Sequence, residues 1–272
     1  MEAKLSSARE AAFSALMSCE KQGAWSDQAI RSAARKWALS ARDAALASNL
    51  CYGVVQNRGK LDFYLAQLLK GSLKKLHPAV RDILHLGLYQ IYELDKIPDS
   101  AAVNESVRLA RKYGPAGCDK LVNGVLRNAV RTKGTLKEPT SYEDKYSHPA
   151  ELVALLKTAL PKGTLESVLK ADNEAPDTVV QVNTLKTDMG SLVKRLEAEG
   201  VQARHHCWME NCLVLSGTGS LEQLPSFREG FYYVQDPSSR LSVLCAELKP
   251  GMAVLDCCAA PGGKSFAAAM AM

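Results

Sequence analysis

The sequence lacks a long apolar run. No stretch approaches the ~18 consecutive apolar residues that a membrane-spanning helix needs. The first twenty residues carry Glu2, Arg9 and Glu10 among the apolar positions, which argues against a secretory signal. We therefore expect a cytoplasmic protein without a membrane partner.

Paired cysteines are also missing. The eight cysteines include no C-x-x-C pair, and the closest spacings are Cys207 to Cys212 and the adjacent Cys257 and Cys258. Zinc sites usually use tighter, repeated pairs. The pattern predicts scattered reduced thiols and no metal site.

Charge is unevenly distributed along the 272 residues. Residues 1–147 hold 23 Lys and Arg against 15 Asp and Glu, whereas residues 148–272 hold 11 against 14. The composition, 47% hydrophobic and 23% charged, is that of a globular chain with one large domain or two ordinary ones. A basic first half suggests an anionic partner such as nucleic acid, although surplus lysines also keep helical surfaces soluble.

Residues 1–133 are predicted to be a helical bundle. Apolar residues recur at three- and four-residue spacing, and a helix is predicted to begin at Pro78. Further helices are predicted over Ala101–Tyr113 and Asp119–Arg131. Residues 134–149 are rich in Lys, Glu, Pro, Thr, Ser and Tyr without periodicity, and we interpret them as a linker.

Residues 150–235 mix helical and strand patterns and are predicted to be a small α+β module. Its predicted helices and strands are Ala150–Leu160, Thr164–Ala171, Thr178–Val182, Ser191–Glu199, Cys212–Leu215 and Phe231–Val234. Residues 236–272 then follow an α/β order. A helix over Ser238–Leu248 precedes a buried strand, Met252–Asp256, a loop, Cys257–Gly263, and a helix from Lys264. One such strand cannot form a doubly wound sheet, so we expect a fragment of a longer architecture.

The loop reads DCCAAPGGKS, from Asp256 to Ser265. A phosphate-binding loop for ATP would need a glycine where Cys258 stands, and Pro261 has no N–H group to offer a phosphate. A plain strand-to-helix turn would also use two glycines. In general, a small-residue loop before a helix N-terminus suits a carboxylate or a phosphate.

The whole decapeptide is similar to the S-adenosylmethionine loop of the RNA cytosine-C5 methyltransferases, D-x-C-A-A-P-G-G-K-[ST]. The upstream segments VQDPSS (234–239) and VNTLK (182–186) resemble the same family. The resemblance implies S-adenosyl-L-methionine as the cofactor of a Rossmann-like domain. The implied cofactor-binding residues are Cys258, Ala259, Ala260, Pro261, Gly262, Gly263 and Lys264.

The helical half resembles the NusB-type RNA-binding domain. The matching segments are Ile97-Pro98, AVNESV (102–107) and KLVNGVLR (120–127). Most of these residues fit two amphipathic core helices, but Asn104, Asn123 and Gly124 are harder to explain, because an Asn on an apolar stripe needs a hydrogen-bond partner. Together the two halves resemble the RsmB/Sun family of 16S ribosomal RNA (cytosine-C5)-methyltransferases.

That family methylates C5 of a cytosine after a cysteine thiolate adds to C6. Its two cysteines follow a proline and a threonine, and no cysteine of this chain does. The acidic residue that binds the cofactor ribose is also absent. We expect a monomeric chain without catalytic residues that does not methylate alone. We also expect that its methyltransferase domain is truncated at residue 272.

Ribosomal RNA is the expected partner. The predicted RNA-binding residues are Asn183, Lys186, Arg108, Arg111, Lys112, Lys120 and Arg127, with Arg9 and Arg131 as further candidates. Asn183 could equally make a turn, and the basic residues could equally be a solvated face. Gln181 stands where the family usually has Arg, so a phosphate contact there is in doubt.

The alternative class is a non-catalytic NusB-like RNA-binding module, working by contact in ribosome assembly or antitermination. A continuation into the D-A-P-C-S and T-C-S segments of the family would favour the enzyme, and a chain without them would favour the module.

Overall fold

The computed structural model describes residues 7–272, which form two compact units that divide after Glu174. The described part of the first unit, residues 7–174, is helical apart from its connections, and the sequence predicts a helical bundle for its part up to residue 133. In chain order its helices are α1 (Ser7–Gln22), α2 (Ser26–Lys36), α3 (Ala41–Gln56), α4 (Arg58–Leu68), α5 (Pro78–Glu93), α6 (Asp99–Tyr113), α7 (Cys118–Arg131), α8 (Tyr142–Tyr146), α9 (Ala150–Ala159) and α10 (Leu165–Asp172).

The core of the first unit is built around α5. Pro78 occupies the first turn of this helix, and the Nδ1 atom of His77 accepts a hydrogen bond from the Ala79 N–H at 3.2 Å. The helix is buried on nearly every side because α1, α3, α4, α6 and α7 all contact it. Burying a Leu or Ile side chain contributes about 1.5–3 kcal/mol. The fully buried apolar residues of α5 include Ile83, Leu84, Leu86, Leu88 and Ile91.

The close approach of α5 and α7 depends on a glycine. A Cβ atom added at Gly87 would lie 2.5 Å from Cδ1 of Leu126. Real Cβ atoms do not come that near another carbon, so the two helices can pack at this separation only because residue 87 has no side chain. This contact holds α7, which carries several of the predicted RNA-binding residues, against the core.

Residues 134–149, predicted to be a linker, are held against α4. The Tyr64 hydroxyl donates to Glu138 at 2.5 Å, and the Lys60 N–H donates to the Ser147 hydroxyl at 3.0 Å. Within the segment, α8 begins where the Ser141 hydroxyl accepts from the Asp144 N–H at 3.1 Å. Composition missed this helix because it is only five residues long and depends on a cap and on packing, not on apolar periodicity.

Helices α8, α9 and α10 form a small apolar cluster. Val153, Leu165 and Leu169 are its buried members, with Tyr146 packed against them. This cluster belongs to the first compact unit, so the division after Glu174 lies 25 residues beyond the predicted end of the linker at 149. The domain boundaries proposed from sequence therefore differ from the division into compact units, because α9 and α10 pack on α8.

The second unit, residues 175–272, contains a four-stranded antiparallel sheet. Its elements are β1 (Thr178–Val182), α11 (Met189–Ala198), β2 (Gln202–His205), β3 (Cys212–Ser216), α12 (Pro225–Arg228), β4 (Tyr232–Val234), α13 (Pro237–Leu244) and α14 (Gly263–Ala271). The strand order is β2-β3-β1-β4. In the register, Val180 of β1 pairs with Leu213 of β3 and with Val234 of β4. Strand β2, an edge strand rich in exposed polar residues, is an element that the sequence pattern did not predict.

The two faces of this sheet differ because side chains alternate along each strand. Val180, Val182, Leu213 and Leu215 point to one face and form a core with Leu192, Leu196 and Tyr232. Gln181 and Cys212 point to the other face, where the Gln181 amide donates to the Cys212 sulfur at 3.4 Å. Gln181 is only 1% exposed. The position at which the family usually has Arg is therefore interior in this chain.

Met252–Asp256, predicted to be a buried strand, is not a strand in this structure. The segment has no regular secondary structure and lies outside the four-stranded sheet, and Leu255 is 86% exposed. A strand needs a neighbour for its N–H and C=O groups, and none of the described strands pairs with this segment. The loop after it and the helix α14 are present, with α14 beginning one residue before the predicted Lys264.

Candidate functional site

We call residues 256–265, the DCCAAPGGKS segment, the glycine loop. The carboxylate of Asp256 joins its two ends by hydrogen bonds. One oxygen of Asp256 accepts from the Cys258 N–H at 3.0 Å, and the other accepts from the Ser265 hydroxyl at 2.7 Å. These hydrogen bonds, first that of Ser265 and then that of Cys258, hold the pKa of Asp256 below its ordinary value. Asp256 thus ties the two ends of the loop together and has no carboxylate oxygen without a partner.

The loop ends at the N-terminus of α14. Gly262 caps the helix with φ of 108°, a left-handed conformation that favours glycine, and its C=O accepts from the Phe266 N–H at 2.8 Å. The N–H groups of the first three helical residues, Gly263, Lys264 and Ser265, have no intrahelical acceptor. They are positioned to donate to an anionic group, and the helix dipole favours negative charge there.

A cavity of about 210 Å³ lies in front of this helix end. Six of the seven predicted cofactor-binding residues line it, and Gly262 does not. The opposite wall comes from the end of β4 and the start of α13. The lining residues are Val234, Gln235, Asp236, Ser239, Cys258, Ala259, Ala260, Pro261, Gly263 and Lys264.

Gln235 lines this cavity beside Gly263. It is buried, and a Cβ added at Gly263 would lie 3.3 Å from its Nε2 atom, so a side chain at residue 263 would press on it. The Gln235 side chain accepts from the Tyr233 hydroxyl at 3.3 Å, and its C=O accepts from the Gln181 amide at 3.4 Å. Gln235 and Asp236 were seen only as part of a family-like segment in the sequence, because their role depends on β4 ending beside the loop.

Asp236 places negative charge in the same cavity. It caps α13 by accepting from the Ser238 N–H at 2.8 Å, and hydrogen bonding from the Ser238 hydroxyl is the main cause of its lowered pKa. The cavity therefore offers N–H donors and Lys264 on one side and a carboxylate on the other. That arrangement suits a ligand end that carries both a carboxylate and an ammonium group.

A second candidate site lies between α6 and α7 in the first unit. It is a cavity of about 550 Å³ that brings together four of the predicted RNA-binding residues, Arg108, Arg111, Lys120 and Arg127. The remaining lining residues are Asn104, Val107, Asp119 and Asn123. We call this cavity the α6–α7 basic pocket.

Internal contacts orient the cations of the basic pocket. Arg108 pairs with Glu105 at 2.5 Å, and Arg111 pairs with Asp119 at 3.1 Å, which lowers the pKa of Asp119. Lys120 makes no ion pair among residues 7–272 and is exposed. Two cations are thus held in place while Lys120 is open to a ligand.

The asparagines of this region do not lie on a buried apolar stripe, contrary to the prediction. Asn104 is exposed, and Asn123 accepts from the Arg127 Nε at 3.0 Å. Gly124 is also exposed, with no atom near the place of a Cβ. Helix α7 buries Val122, Val125, Leu126 and Ala129, so residue 123 falls at the edge of the buried face and residue 124 outside it.

Other predicted cations lie outside the basic pocket. Lys112 pairs with Glu10 and lies over the ring of Tyr113, 5.2 Å from its centroid. Arg9 donates to the Gln90 side chain at 2.7 Å. Arg131 donates to Asn128 at 2.8 Å and lines a neighbouring cavity that also contains Asn104 and Arg127.

Asn183 and Lys186 make turn contacts in the second unit. The Asn183 amide donates to the Gly230 C=O at 2.8 Å, and its oxygen accepts from the Leu185 N–H at 3.2 Å. The Lys186 ammonium donates to the Glu229 C=O at 2.7 Å. These contacts agree with the alternative interpretation, in which the asparagine at the strand end makes a turn.

Residues 7–272 contain no group of three or more His, Cys, Asp or Glu side chains that could hold a metal ion. The described cysteines are free thiols; Cys257 and Cys258 are exposed, and burial raises the pKa of the Cys51 thiol to about 12. Among the same residues, every helix is too short or too polar to cross a membrane.

Family comparisons agree with this architecture. A model described as the NusB family matches residues 6–131, and one described as the Methyltr_RsmF/B-like, ferredoxin-like domain matches residues 148–222. The βαββαβ order of β1 to β4 is the order of a ferredoxin-like module, and the sheet continues past residue 222 to β4. The chain thus joins a NusB domain to a domain found in RNA methyltransferases.

Relatives cover almost the whole chain. It is 36% identical over 95% of its length to the probable ribosomal RNA small subunit methyltransferase B of Synechocystis sp., and 33% identical over 96% to that of Bacillus subtilis. The ribosomal RNA small subunit methyltransferase B of Vibrio cholerae is 32% identical over 94%. The chain belongs to this methyltransferase B family, and it spans 59% of the length of each of these relatives.

A solved structure shares the fold. The crystal structure of PH0851 superimposes with a TM-score of 0.73 at 21% sequence identity, covering 99% of this chain and 62% of that one.

Proposed function

We propose that this chain supplies the RNA-binding surface and the first part of the cofactor site for S-adenosylmethionine-dependent C5 methylation of a cytosine in 16S ribosomal RNA. The observation that carries the proposal is the cavity at the N-terminus of α14, where the glycine loop meets the end of β4. The names of the relatives, which are methyltransferases of small-subunit ribosomal RNA, support the substrate class.

The described residues fit the amino-acid end of the cofactor. The N–H groups at the start of α14 and Lys264 would hold its carboxylate, and Asp236 would face its ammonium group. When bound, the cofactor supplies a methyl group on a positively charged sulfur. At about 210 Å³ the cavity is smaller than the 300–1,000 Å³ typical of sites that enclose a whole ligand, so it accounts for one end of the molecule.

We assign the nucleophilic step to no residue of this chain. The family's two cysteines follow Pro and Thr, and none of the eight cysteines here does so. Cys257 and Cys258 stand in the glycine loop, and the Cys258 N–H is bonded to Asp256. Their position beside the proposed amino-acid end of the cofactor separates them from a base that would accept the methyl group.

The proposed RNA contact is the α6–α7 basic pocket. Arginine and lysine side chains neutralise phosphates without reading sequence, and fixed guanidinium groups lose less side-chain entropy on binding. In this pocket Glu105 and Asp119 orient two arginines, and Lys120 adds an exposed ammonium group. The pocket would therefore position the RNA without choosing the cytosine.

Calorimetry with S-adenosylhomocysteine and with adenosine tests the cofactor proposal. We expect weak binding of S-adenosylhomocysteine, with Kd of about 1 mM because only one end is held, and no binding of adenosine, which lacks the amino-acid end. Gly263→Val should abolish the binding because its side chain would press on Gln235. The control, Gly124→Ala, changes an exposed glycine of α7 and should bind like the unmodified chain.

Equal binding of the two ligands, or binding unchanged by Gly263→Val, would contradict the proposed role of the cavity. A second candidate function is a NusB-like RNA-binding module that acts by contact alone. It is favoured by the basic pocket, which is complete within the first unit. A chain that binds RNA but does not bind S-adenosylhomocysteine would support this second function.

A further inference from the structure

The loop between β2 and β3, residues 206–211, carries an exposed aromatic side chain that the proposed function does not use. Trp208 stands in this loop with 59% of its surface exposed. An exposed indole offers a large, flat apolar surface, which contributes strongly to binding when a ligand covers it. We call residues 206–211 the β2–β3 loop.

The backbone of this loop is fixed at both ends. The His206 N–H donates to the Cys212 C=O at 2.9 Å, and the Asn211 C=O accepts from the Val182 N–H of β1 at 2.9 Å. Inside the loop, the Met209 N–H donates to Nδ1 of His206 at 3.2 Å, and the Met209 side chain is buried. Trp208 is therefore presented from an ordered loop, and a ligand that contacts it would lose little loop entropy on binding.

The indole ring is held from one side only. The ring of His206 meets it edge to face, with the centroids 4.9 Å apart and the planes at 82°. A cavity of about 410 Å³ lies beside the loop, lined by loop residues 206–211 together with Met189 and His205. This leaves room for a planar group against the indole.

The surroundings of Trp208 favour a nucleobase over a protein surface. Arg204, His205, Glu210 and Asn211 are all exposed and polar, so the indole is an isolated aromatic group and not part of an apolar patch. A stable protein interface buries about 800 Å² on each partner around an apolar centre. A stacked base needs only one aromatic face with polar groups nearby.

The β2–β3 loop also lies near the glycine-loop cavity. Cys212 directly follows the loop, and its C=O accepts from the His206 N–H at 2.9 Å. The Gln181 amide lies 3.4 Å from the Cys212 sulfur and also donates to the C=O of Gln235 at 3.4 Å, and Gln235 lines the glycine-loop cavity. A base stacked on the indole would thus be close to the place where the cofactor's amino-acid end is proposed to bind.

We propose that Trp208 is a stacking site for an unpaired base of the RNA substrate, next to the glycine-loop cavity. The proposal rests on the proposed function, because it takes RNA as the substrate. It assigns the β2–β3 loop the task of holding single-stranded RNA, whereas the α6–α7 basic pocket contacts phosphates of either single or double strands.

The test compares a single-stranded RNA oligonucleotide of about 12 nucleotides with a blunt duplex of the same sequence. Trp208→Ala should weaken single-strand binding by about 5- to 150-fold, the range of one base–aromatic stack, and leave duplex binding unchanged. Trp208→Phe, which keeps an aromatic face, should recover much of the affinity. The control is Trp25→Ala, which removes an exposed tryptophan of the first unit.

Tryptophan fluorescence separates this proposal from the proposed function. Stacking should quench a component of the emission that is present in the unmodified chain and missing in Trp208→Phe. Equal quenching by RNA in the unmodified chain and in Trp208→Phe would overturn the stacking site. So would an equal loss of affinity for single strand and duplex in Trp208→Ala. Either result would leave the RNA-binding function intact. Absence of any RNA binding by the unmodified chain would overturn both.

Discussion

Helices α5 and α14 both carry apolar side chains, but they are packed very differently. Most residues of α5 are buried among five other helices, whereas α14 buries only Ala267 and Ala268, in a cluster with Val243. Phe266 of α14 and Leu255 before the loop are exposed. The basic pocket therefore stands on a continuous core, and the glycine loop stands on a small local cluster.

This difference suggests a division of roles. Fixed helices suit a surface that must keep several charges at set distances, as in the α6–α7 basic pocket. The glycine loop has little apolar packing beneath it and forms its hydrogen bonds locally, through Asp256. Three predictions bear on this comparison.

Amide hydrogen exchange should show the largest difference between the core of the first unit and the region around α14. We expect amides of residues 80–93 to open only with free energies near the global value, and those of residues 243–272 to open at about 0–2 kcal/mol, because few apolar contacts hold the latter. Native-state exchange followed by mass spectrometry measures both segments in one sample. Uniform protection across the two segments would mean that the small cluster around Val243 is as stable as the main core.

Stability of the first unit should depend on a buried carboxyl group. Asp82 is 2% exposed, and burial, followed by the charge of Glu20, raises its pKa to about 6 against the opposing charges of His85, Arg58 and Arg81. A raised pKa means that the folded state binds more protons than the unfolded state between about pH 4 and 6. The free energy of unfolding should therefore rise as the pH falls from 7 to 4, on the order of 1–3 kcal/mol from this group.

Asp82→Asn should remove that part of the pH dependence and raise stability at pH 7. Denaturant unfolding of the helical signal at pH 4, 5, 6 and 7 measures it, and the exposed Asp95→Asn serves as the control. The difference between the Asp82→Asn and unmodified curves isolates Asp82 from His85, which lies 4.0 Å from it. Parallel curves would show that Asp82 does not titrate in this range.

A change in the basic pocket should have the smallest energetic effect and leave folding unchanged. Lys120→Ala should lower the slope of log affinity against log salt for RNA by about 0.7–0.9, the value for one phosphate contact, and weaken binding a few-fold. Lys70→Ala, an exposed lysine outside the pocket, is the matched control. Equal slopes for the two variants would mean that the positive charge acts diffusely and not through this pocket.

Sequence predicted most of the helices because each shows apolar residues at helical spacing, and it predicted the glycine loop because the decapeptide is distinctive. Four of the predicted RNA-binding residues, Arg108, Arg111, Lys120 and Arg127, line one cavity because α6 and α7 pack against each other, and their contact with RNA stays a prediction. Lys112 lies in the same helix as Arg108 but outside the basic pocket, because it pairs with Glu10. The sequence does not show which face of α6 meets Glu10, so it predicts Lys112 together with the others.

Other features depended on tertiary contacts that leave no local pattern. Helix α8 depends on its cap and on packing against α4. Strand β2 is short and polar, and only its pairing with β3 defines it. The segment Met252–Asp256 has a strand-like sequence, but a strand requires a partner beside it, and the described sheet offers none.

The interior position of Gln181 has a mechanical consequence for the cofactor cavity. Its amide links the Cys212 sulfur to the Gln235 C=O, and the Gln235 side chain lies under Gly263. The polar face of the sheet is therefore the floor on which the glycine loop sits. A larger side chain at residue 181 would lift this floor and displace the helix end, although it would never touch the ligand.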